Sequence, residues 1–599
     1  MYKRIFIFLF NFILCVSLVS AESDEIELSP IVITRRNFYL FKEYTLDQES
    51  LKLKTQDAFL SSLRYSPLEL QSRSPLADIQ FDFSLRASNF EQVVVLFNER
   101  RINDSQTAHH NSDIPLTQFN IESLGIYLSG GSSLFGSGAL GGALNIVTKK
   151  EFKKENILQV STGSHKLKSV LFGMDGLEFN QLFMRFSSEI KEADGFYYDT
   201  EYKKYTLNLE SKIEFPLTDF NMFLGYQEKE FGAYDFYTPF RGFPSFEWTK
   251  TYLLNTDLDF QIEDFFLKGS FLWRRHYDKF LLDKTLIRSR YLNHHQTDIF
   301  SPLFYLRGND FFGGIFGMGF EYTEEKIIST NLGKHKRLYH SLFMEERKDF
   351  DNFSYSISYR SDRLSNIKNI HTGTFNINYI LNKNKRLTGG FSRSIRMPSF
   401  TELYYNDPTT EGNSFLLPEE AYKYDLGYEY NEKDKEFLLS ICTFLRDEKN
   451  AIDWLKEISS ESKWKAKNIT STQSQGIEMT IKKKINKLIC LDLFYTYIDK
   501  KIKTKQYNYK YGLNYNRHRF FFVLDFSFKR YNHFIGFSYN KPPQRDGWFI
   551  LDTNFIYRPK KENMEFFFDV SNLLNVEYQN ISGIPSPKRN FQLGIRFYW

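Results

Sequence analysis

The chain has 599 residues, with 62 Phe and 38 Tyr; aromatic residues make up 18% of it and charged residues 25%. A formal charge of +5 with both signs interleaved gives no basic tail or block, so no nucleic-acid partner is expected. Beyond the N-terminus no window holds the roughly 18 to 20 uninterrupted apolar residues of a membrane-spanning helix, so any membrane-inserted form must be built from strands.

Residues 1–21 read as a secretory signal peptide. Met1-Tyr2-Lys3-Arg4 is the basic start, Ile5 to Val19 the apolar middle, and Ser20-Ala21 the small pair before Glu22-Ser23-Asp24-Glu25. Cleavage after Ala21 removes Cys15 and leaves Cys442 and Cys490, each in an apolar strand-like run. They read as two thiols rather than a disulfide. Residues 22–50 form a polar arm interrupted by Ile31-Val32-Ile33, a short β-prone run suited to adding a strand to a partner's sheet edge.

Residues 51–152 contain "GSGALGG" (136–142), in which Gly136, Gly138 and Gly141 have the spacing G-x-G-x-x-G. That spacing cradles a pyrophosphate only when a strand enters the loop and a helix leaves it. Here Ala143-Leu144-Asn145-Ile146-Val147-Thr148 follows, which predicts a strand, so the nucleotide reading fails. The glycines instead suit tight turns and close packing of crossing strands.

From residue 153 to 599 the pattern has period two. "NFSYSISYR" sets Phe353, Tyr355, Ile357 and Tyr359 against Ser354, Ser356, Ser358 and Arg360, and Tyr205, Leu207 and Leu209 alternate with Thr206, Asn208 and Glu210. "NKNKR" (382–386), "NEKDKE" (431–436) and "RPKKEN" (558–563) look like tight turns. The last stretch, "FQLGIRFYW", puts Phe591, Leu593, Ile595, Phe597 and Trp599 on one face. A transmembrane barrel turns such a face to lipid and the polar one to its lumen. At about ten residues per strand, with connections of similar length, the stretch holds about 22 antiparallel strands, and a barrel that wide needs a channel or a plug.

The whole chain resembles the TonB-dependent outer-membrane receptors. "SPIVITRR" (29–36) resembles their energy-coupling box, and "DFSLRASNFEQVVVLFNERRIND" and "SGGSSLFGSGALGGALNIVTKK" resemble their plug. Residues 391–430 and 570–599 resemble two stretches of their barrel. The resemblance implies an all-β transmembrane barrel with an N-terminal α+β plug inside the lumen, in the outer membrane. The divisions are a signal peptide (1–21), an arm with a coupling box near 29–34 (22–50), a plug (51–152) and a barrel (153–599). The implied function is energised import of a scarce bulky nutrient, cobalamin-like or a ferric-siderophore chelate; the alternative is a passive pore or adhesin without coupling. The implied partners are TonB with its inner-membrane energising complex, engaged through Ile31, Val32, Ile33 and Thr34, then the chelate, outer-membrane lipids and the barrel-assembly machinery; the receptor is expected to be a monomer. The chain departs from the family in Arg86-Ala87, where Arg-Gly is usual, and in Leu128-Ser129-Gly130-Gly131, where Leu-Arg-Gly-Pro is usual. Arg86 is the candidate latch to a barrel carboxylate.

Two polar, turn-rich loops, 87–91 and 103–116, are expected to face the external vestibule. Ser88, Asn89, Phe90, Gln106, His109, His110 and Asn111 are their candidate ligand contacts, joined by Tyr198, Tyr234 and Tyr237 of the barrel loops. Neighbouring histidines on a strand point to opposite faces, so His109-His110 and His294-His295 are read as hydrogen-bonding pairs; no protein-built metal site and no cofactor are expected, although the cargo can carry iron or cobalt. Asp194 and Asp199 are too scattered for a calcium site. The chain lacks G-x-S-x-G, H-E-x-x-H and Walker motifs, so it is not read as an enzyme.

Overall fold

A computed structural model describes residues 43–599 except 56–57, 129–130, 263, 287–291, 310–312, 366, 459–462, 504–506 and 561–562. The signal peptide, the run Ile31 to Thr34, and Ser129 and Gly130 lie outside the described residues.

The first part is a small α+β domain. Strand β1 (Glu43–Asp47) leads into helix α1 (Gln48–Lys54), whose start is capped by Asp47, accepting from the Ser50 amide at 2.8 Å. β2 (Glu69–Ser74) and β3 (Gln80–Ser84) form an antiparallel pair. β4 (Val93–Phe97), β5 (Arg100–Arg101), β6 (Ile121–Tyr127) and β7 (Gly142–Thr148) join β1 in a five-stranded sheet of order β1-β6-β7-β4-β5. Helix α2 (Ser132–Phe135) precedes β7. The run after the glycines is therefore a strand, parallel to β4. Close approach explains two of those glycines. A Cβ on Gly142 would lie 2.3 Å from the Tyr127 carbonyl, and one on Gly141 2.5 Å from Ser88 Oγ.

The second part is a closed barrel of 22 long antiparallel strands among the described residues, running from Asn156–Gly163 to Asn590–Tyr598. The last strand pairs with the first, Gln592 opposite Gly163 and Tyr598 opposite Ile157, so no edge is left open. Alternation decides the two faces. In Tyr202–Phe215, Thr206 and Asn208 are buried while Leu207 is 43% exposed; Ile357, between buried Ser356 and Ser358, is 47% exposed. An apolar residue is left uncovered on the outside because lipid, not protein, is its solvent there. Strands as long as Trp464–Asn486, 23 residues, exceed the roughly 9 to 11 needed to cross hydrocarbon, so the wall rises beyond the apolar band. Connections such as 383–384 and 529–530 share one end, and the longer 194–201, 233–245, 397–418 and 572–589 share the other. Cys442 and Cys490 are free thiols.

The α+β domain fills the lumen as a plug. Its core, including Leu63, Phe83, Val95 and Ile146, is continuous with wall residues Phe223, Leu272, Phe494, Phe521 and Phe534. Burial of apolar surface thus anchors one domain within the other.

Candidate functional site

At the loop end, the plug apex is roofed by the barrel's long connections. In loop 397–418, helix α3 (Phe400–Tyr404) starts with a Ser399/Glu402 capping box and sits on the plug: the Phe400 amide donates to the Ser105 carbonyl at 2.9 Å and the Thr401 amide to that of Gln106 at 3.0 Å. Beside it Phe90 stacks on His109, with ring centroids 4.2 Å apart and planes at 17°. Tyr511 of loop 503–517 meets Phe90 edge-on at 4.9 Å, and Tyr237 of loop 233–245 lies 5.6 Å from His109. The result is an aromatic floor contributed by four separate segments, two from the plug and two from the barrel loops. An offset-stacked and edge-on set of rings offers both an apolar face and polar rims.

The floor is held electrostatically from beneath. His109 Nδ1 is 2.8 Å from Asp82, whose other oxygen accepts from Arg73 at 2.5 Å. Burial would raise the Asp82 carboxyl, but Arg73 and then His109 outweigh it and hold it at about 2. Burial pushes His109 down to about 4, so the ring is neutral at pH 7 and its Nδ1–H donates to Asp82. Glu91, one residue after Phe90, accepts from the Ala108 amide at 3.1 Å and faces Glu402 across Arg396; burial and then Glu402 push it up to about 8.

A ring of ion pairs joins plug to wall. Asp104 accepts from Arg274 at 2.6 Å, Asp113 from Lys229 at 2.7 Å, Glu325 from Arg101 at 2.8 Å and Glu321 from Arg100 at 3.2 Å. His110 lies among Asp113, Asp278 and Glu247, and although burial opposes it, those carboxylates draw its pKa well above the ordinary value, Asp278 foremost. Arg86, in a left-handed turn (φ 53°), reaches a different arc of wall and donates to Asp425 at 2.6 Å and Glu478 at 2.9 Å. Its guanidinium also lies 4.4 Å from the Phe444 ring.

The candidate residues separate into groups. Phe90, His109 and Tyr237 come together in the floor. Gln106 and His110 meet at Asp278, the Gln106 amide donating to it at 3.1 Å. Tyr198 and Tyr234 pair with each other at 5.3 Å, and Tyr198 is 64% exposed on the outer loops. Ser88 and Asn111 are buried and each has a polar atom in the plug's own turns, while the Asn89 side-chain amide donates to the Ile452 carbonyl of the wall at 3.4 Å. Ser88 Oγ accepts from the Leu85 amide, the Asn89 amide donates to Gln92, and Asn111 Oδ1 accepts from the Asp104 amide. The same pull buries Gln106 and His110: a loop thrust into a polar lumen satisfies itself against the wall rather than against water. Tyr511, Glu247, Asp278 and Glu402 escaped the sequence reading. The only signal was an inward position in an alternating strand for Glu247 and Asp278, and a capping box for Glu402.

Comparison with known proteins agrees with this architecture. The family model described as "TonB dependent receptor-like, beta-barrel" matches residues 158–573. No curated protein matches the chain in sequence. Among solved structures, the siderophore receptor PirA from Pseudomonas aeruginosa is 13% identical with a TM-score of 0.75, covering 93% of this chain and 99% of its own. The ferric enterobactin receptor PfeA from the same species, in complex with enterobactin, is 14% identical with a TM-score of 0.77, covering 93% and 99%. The ferric-catecholate import receptor Fiu from Escherichia coli K12 is 11% identical with a TM-score of 0.75, covering 94% and 97%. At these identities the likeness is one of fold.

Proposed function

The chain belongs to the TonB-dependent receptors, and on that premise we propose that it stands in the outer membrane, long loops outward, and actively imports a scarce bulky chelate, cobalamin-like or a ferric siderophore. The observation that carries this reading is the aromatic floor of Phe90, His109, Tyr237 and Tyr511, built jointly by the plug and two barrel loops. A ligand landing there touches mobile and fixed parts at once, so its arrival can be felt by the plug. Ring faces suit the flat, partly apolar surface of a catecholate or a corrin, and the His and Tyr rims supply hydrogen bonds. The neighbours titled as siderophore and ferric enterobactin receptors support a chelate as cargo. Passive diffusion is the weaker reading, because the plug core runs into the wall core across the lumen.

In this reading residues 29–34 pair with TonB as an added strand, and pulling on the arm loosens the plug. The receptor acts as a monomer delivered by the barrel-assembly machinery. The test is uptake of radiolabelled cobalamin and of a radiolabelled ferric catecholate by cells producing the receptor, with and without TonB. One of the two ligands is expected to accumulate only when TonB is present. Deleting residues 29–34 abolishes accumulation and leaves surface binding intact, while Phe90→Ala weakens binding itself. Uptake that persists without TonB overturns the proposal.

A further inference from the structure

The two histidine pairs, distant in sequence, converge on one carboxylate. His110 arrives on the plug loop and His295 on the wall strand Leu292–Asn309, where it stands directly opposite Asp278 of Phe265–Leu281. Glu247, from the adjacent strand Phe246–Ile262, completes the group. His110 Nε2 is 3.4 Å from Asp278 Oδ2 and 3.9 Å from Glu247 Oε1, and the three donor atoms lie within 4.8 Å of one another. Around a tetrahedral zinc ion with bonds of about 2.0 to 2.2 Å, neighbouring donors stand roughly 3.3 to 3.6 Å apart, so the observed spacing needs little contraction.

Three further observations point to an ion rather than to a closed hydrogen-bond network. Asp278 Oδ1 and His295 Nδ1 are buried with no hydrogen-bond partner, in side chains that face each other across the strand pair. Such orphaned atoms are costly unless something binds them. The carboxylates are also unevenly served by basic side chains. Asp104 and Asp113 have Arg274 and Lys229, but Glu247 and Asp278 have no Lys or Arg partner among the described residues. Finally, His110 Nδ1 lies 3.1 Å from Asp113 Oδ2, and Asp113 is itself fixed by Lys229. A carboxylate behind the far nitrogen is how proteins orient a ligating imidazole.

We propose that His110 Nε2, Glu247 and Asp278 bind a divalent transition-metal ion of the zinc class as three protein donors, which clamps the plug loop to the barrel wall. The mixed nitrogen and oxygen donors favour zinc-like ions over calcium or magnesium, which take oxygen shells. The ion is resident rather than cargo, and it adjoins the aromatic floor, whose Tyr237 hydroxyl donates to Glu247 at 3.0 Å; the proposal does not rest on the transport reading.

The experiment uses the full-length receptor in detergent, stripped with chelator, dialysed against Zn2+ and assayed by elemental mass spectrometry. Heat-modifiable migration verifies that every barrel is folded. The expected result is about one ion per chain, lost in Asp278→Asn and in Glu247→Gln, and bound roughly ten- to a hundredfold more weakly in Asp113→Asn, which changes only the outer carboxylate. Co2+ in place of zinc is expected to give the visible bands of a low-coordinate site in the wild type and not in Asp278→Asn. Folded wild-type protein that binds no zinc overturns the proposal and makes the His110 imidazolium the cluster's only cation. Zinc retained unchanged by both carboxylate variants overturns it as well, by placing the ion elsewhere.

Discussion

The plug meets the barrel along two unlike seams. Against the strands Ile489–Ile502, His518–Phe528 and Tyr531–Lys541 the contact is aromatic: Tyr65 lies edge-on to Phe534 at 5.1 Å and to Phe521 at 6.3 Å, and Tyr44 meets Phe521 at 6.5 Å. The tyrosine tips are hydrogen-bonded, Tyr44 to Asp492 and Tyr65 to Asp552. Against Thr218–Gly232, Phe265–Leu281 and Ile315–Ser329 the contact is ionic, through Lys229, Arg274, Glu321 and Glu325. The two respond differently to loss. An apolar seam gives up stability in proportion to what is removed, with no remedy nearby. An ionic seam is near balance while intact, falls steeply when one partner goes, and recovers when both go. Water can replace protein partners along the second but not the first.

The sharpest break is Arg86→Ala, on a further ionic arc of the wall, which removes the guanidinium that Asp425 and Glu478 both accept from. It is expected to cost about 3 to 5 kcal/mol of plug stability, read as a lower urea midpoint for protease cleavage of the plug. The triple variant Arg86→Met with Asp425→Asn and Glu478→Gln should regain most of it, and failure to do so would show that the intact ion pairs are strongly net stabilising rather than near balance. On the aromatic side Phe534→Ala removes a fully buried ring and is expected to cost about 3 to 5 kcal/mol, at the lower end where the Lys54 stem closes over the gap, with no rescue from trimming Tyr65. A smaller effect is set by pH. Glu91 keeps its proton up to about 8 in the fold, against an ordinary value near 4.5, so the native state binds more protons between those limits and stability falls as pH rises through them. Glu91→Gln should flatten that slope, by at most about 1.4 kcal/mol per pH unit, in urea titrations at pH 5 and 8. The smallest change is a gain. Asn98 and Glu99 form the two-residue turn between β4 and β5 with φ of 47° and 71°, a turn that prefers Asn-Gly. Glu99→Gly is expected to stabilise the plug by about 0.5 to 1 kcal/mol.

The barrel was legible because each strand carries its own instruction. In "NFSYSISYR" the order of Phe353, Ser354, Tyr355 and Ser356 already separates lipid from lumen, and no distant residue is needed to read it. The strand after "GSGALGG" was legible for the same reason, since Ile146, Val147 and Thr148 favour extended backbone wherever they are placed. The floor was half legible: Phe90 and His109 lie in two plug loops, but Tyr511 reaches them only through the path of a barrel loop four hundred residues on. Asp278 and Glu247 were invisible as a pair. Alternation marks both as inward-facing, as it does dozens of other polar residues, and only the depth to which the loop carrying Gln106 and His110 penetrates selects them. The burial of Ser88 and Asn111 was not legible, because turn residues look alike whether their hydrogen bonds go to water or to their own backbone.

The closure of the barrel has a consequence in time. The plug is synthesised first and the strand Asn590–Tyr598 last, yet that strand pairs with Asn156–Gly163, over four hundred residues earlier. Until it arrives, the first strand presents an unpaired edge, and the plug has no ring to sit in. Contacts of such separation form slowly, because the whole intervening chain must be ordered before they repay its lost freedom. Loss of the strand Asn590–Tyr598 therefore does more than shorten the wall. It withholds the stitch that turns an open sheet wrapped around its contents into a vessel.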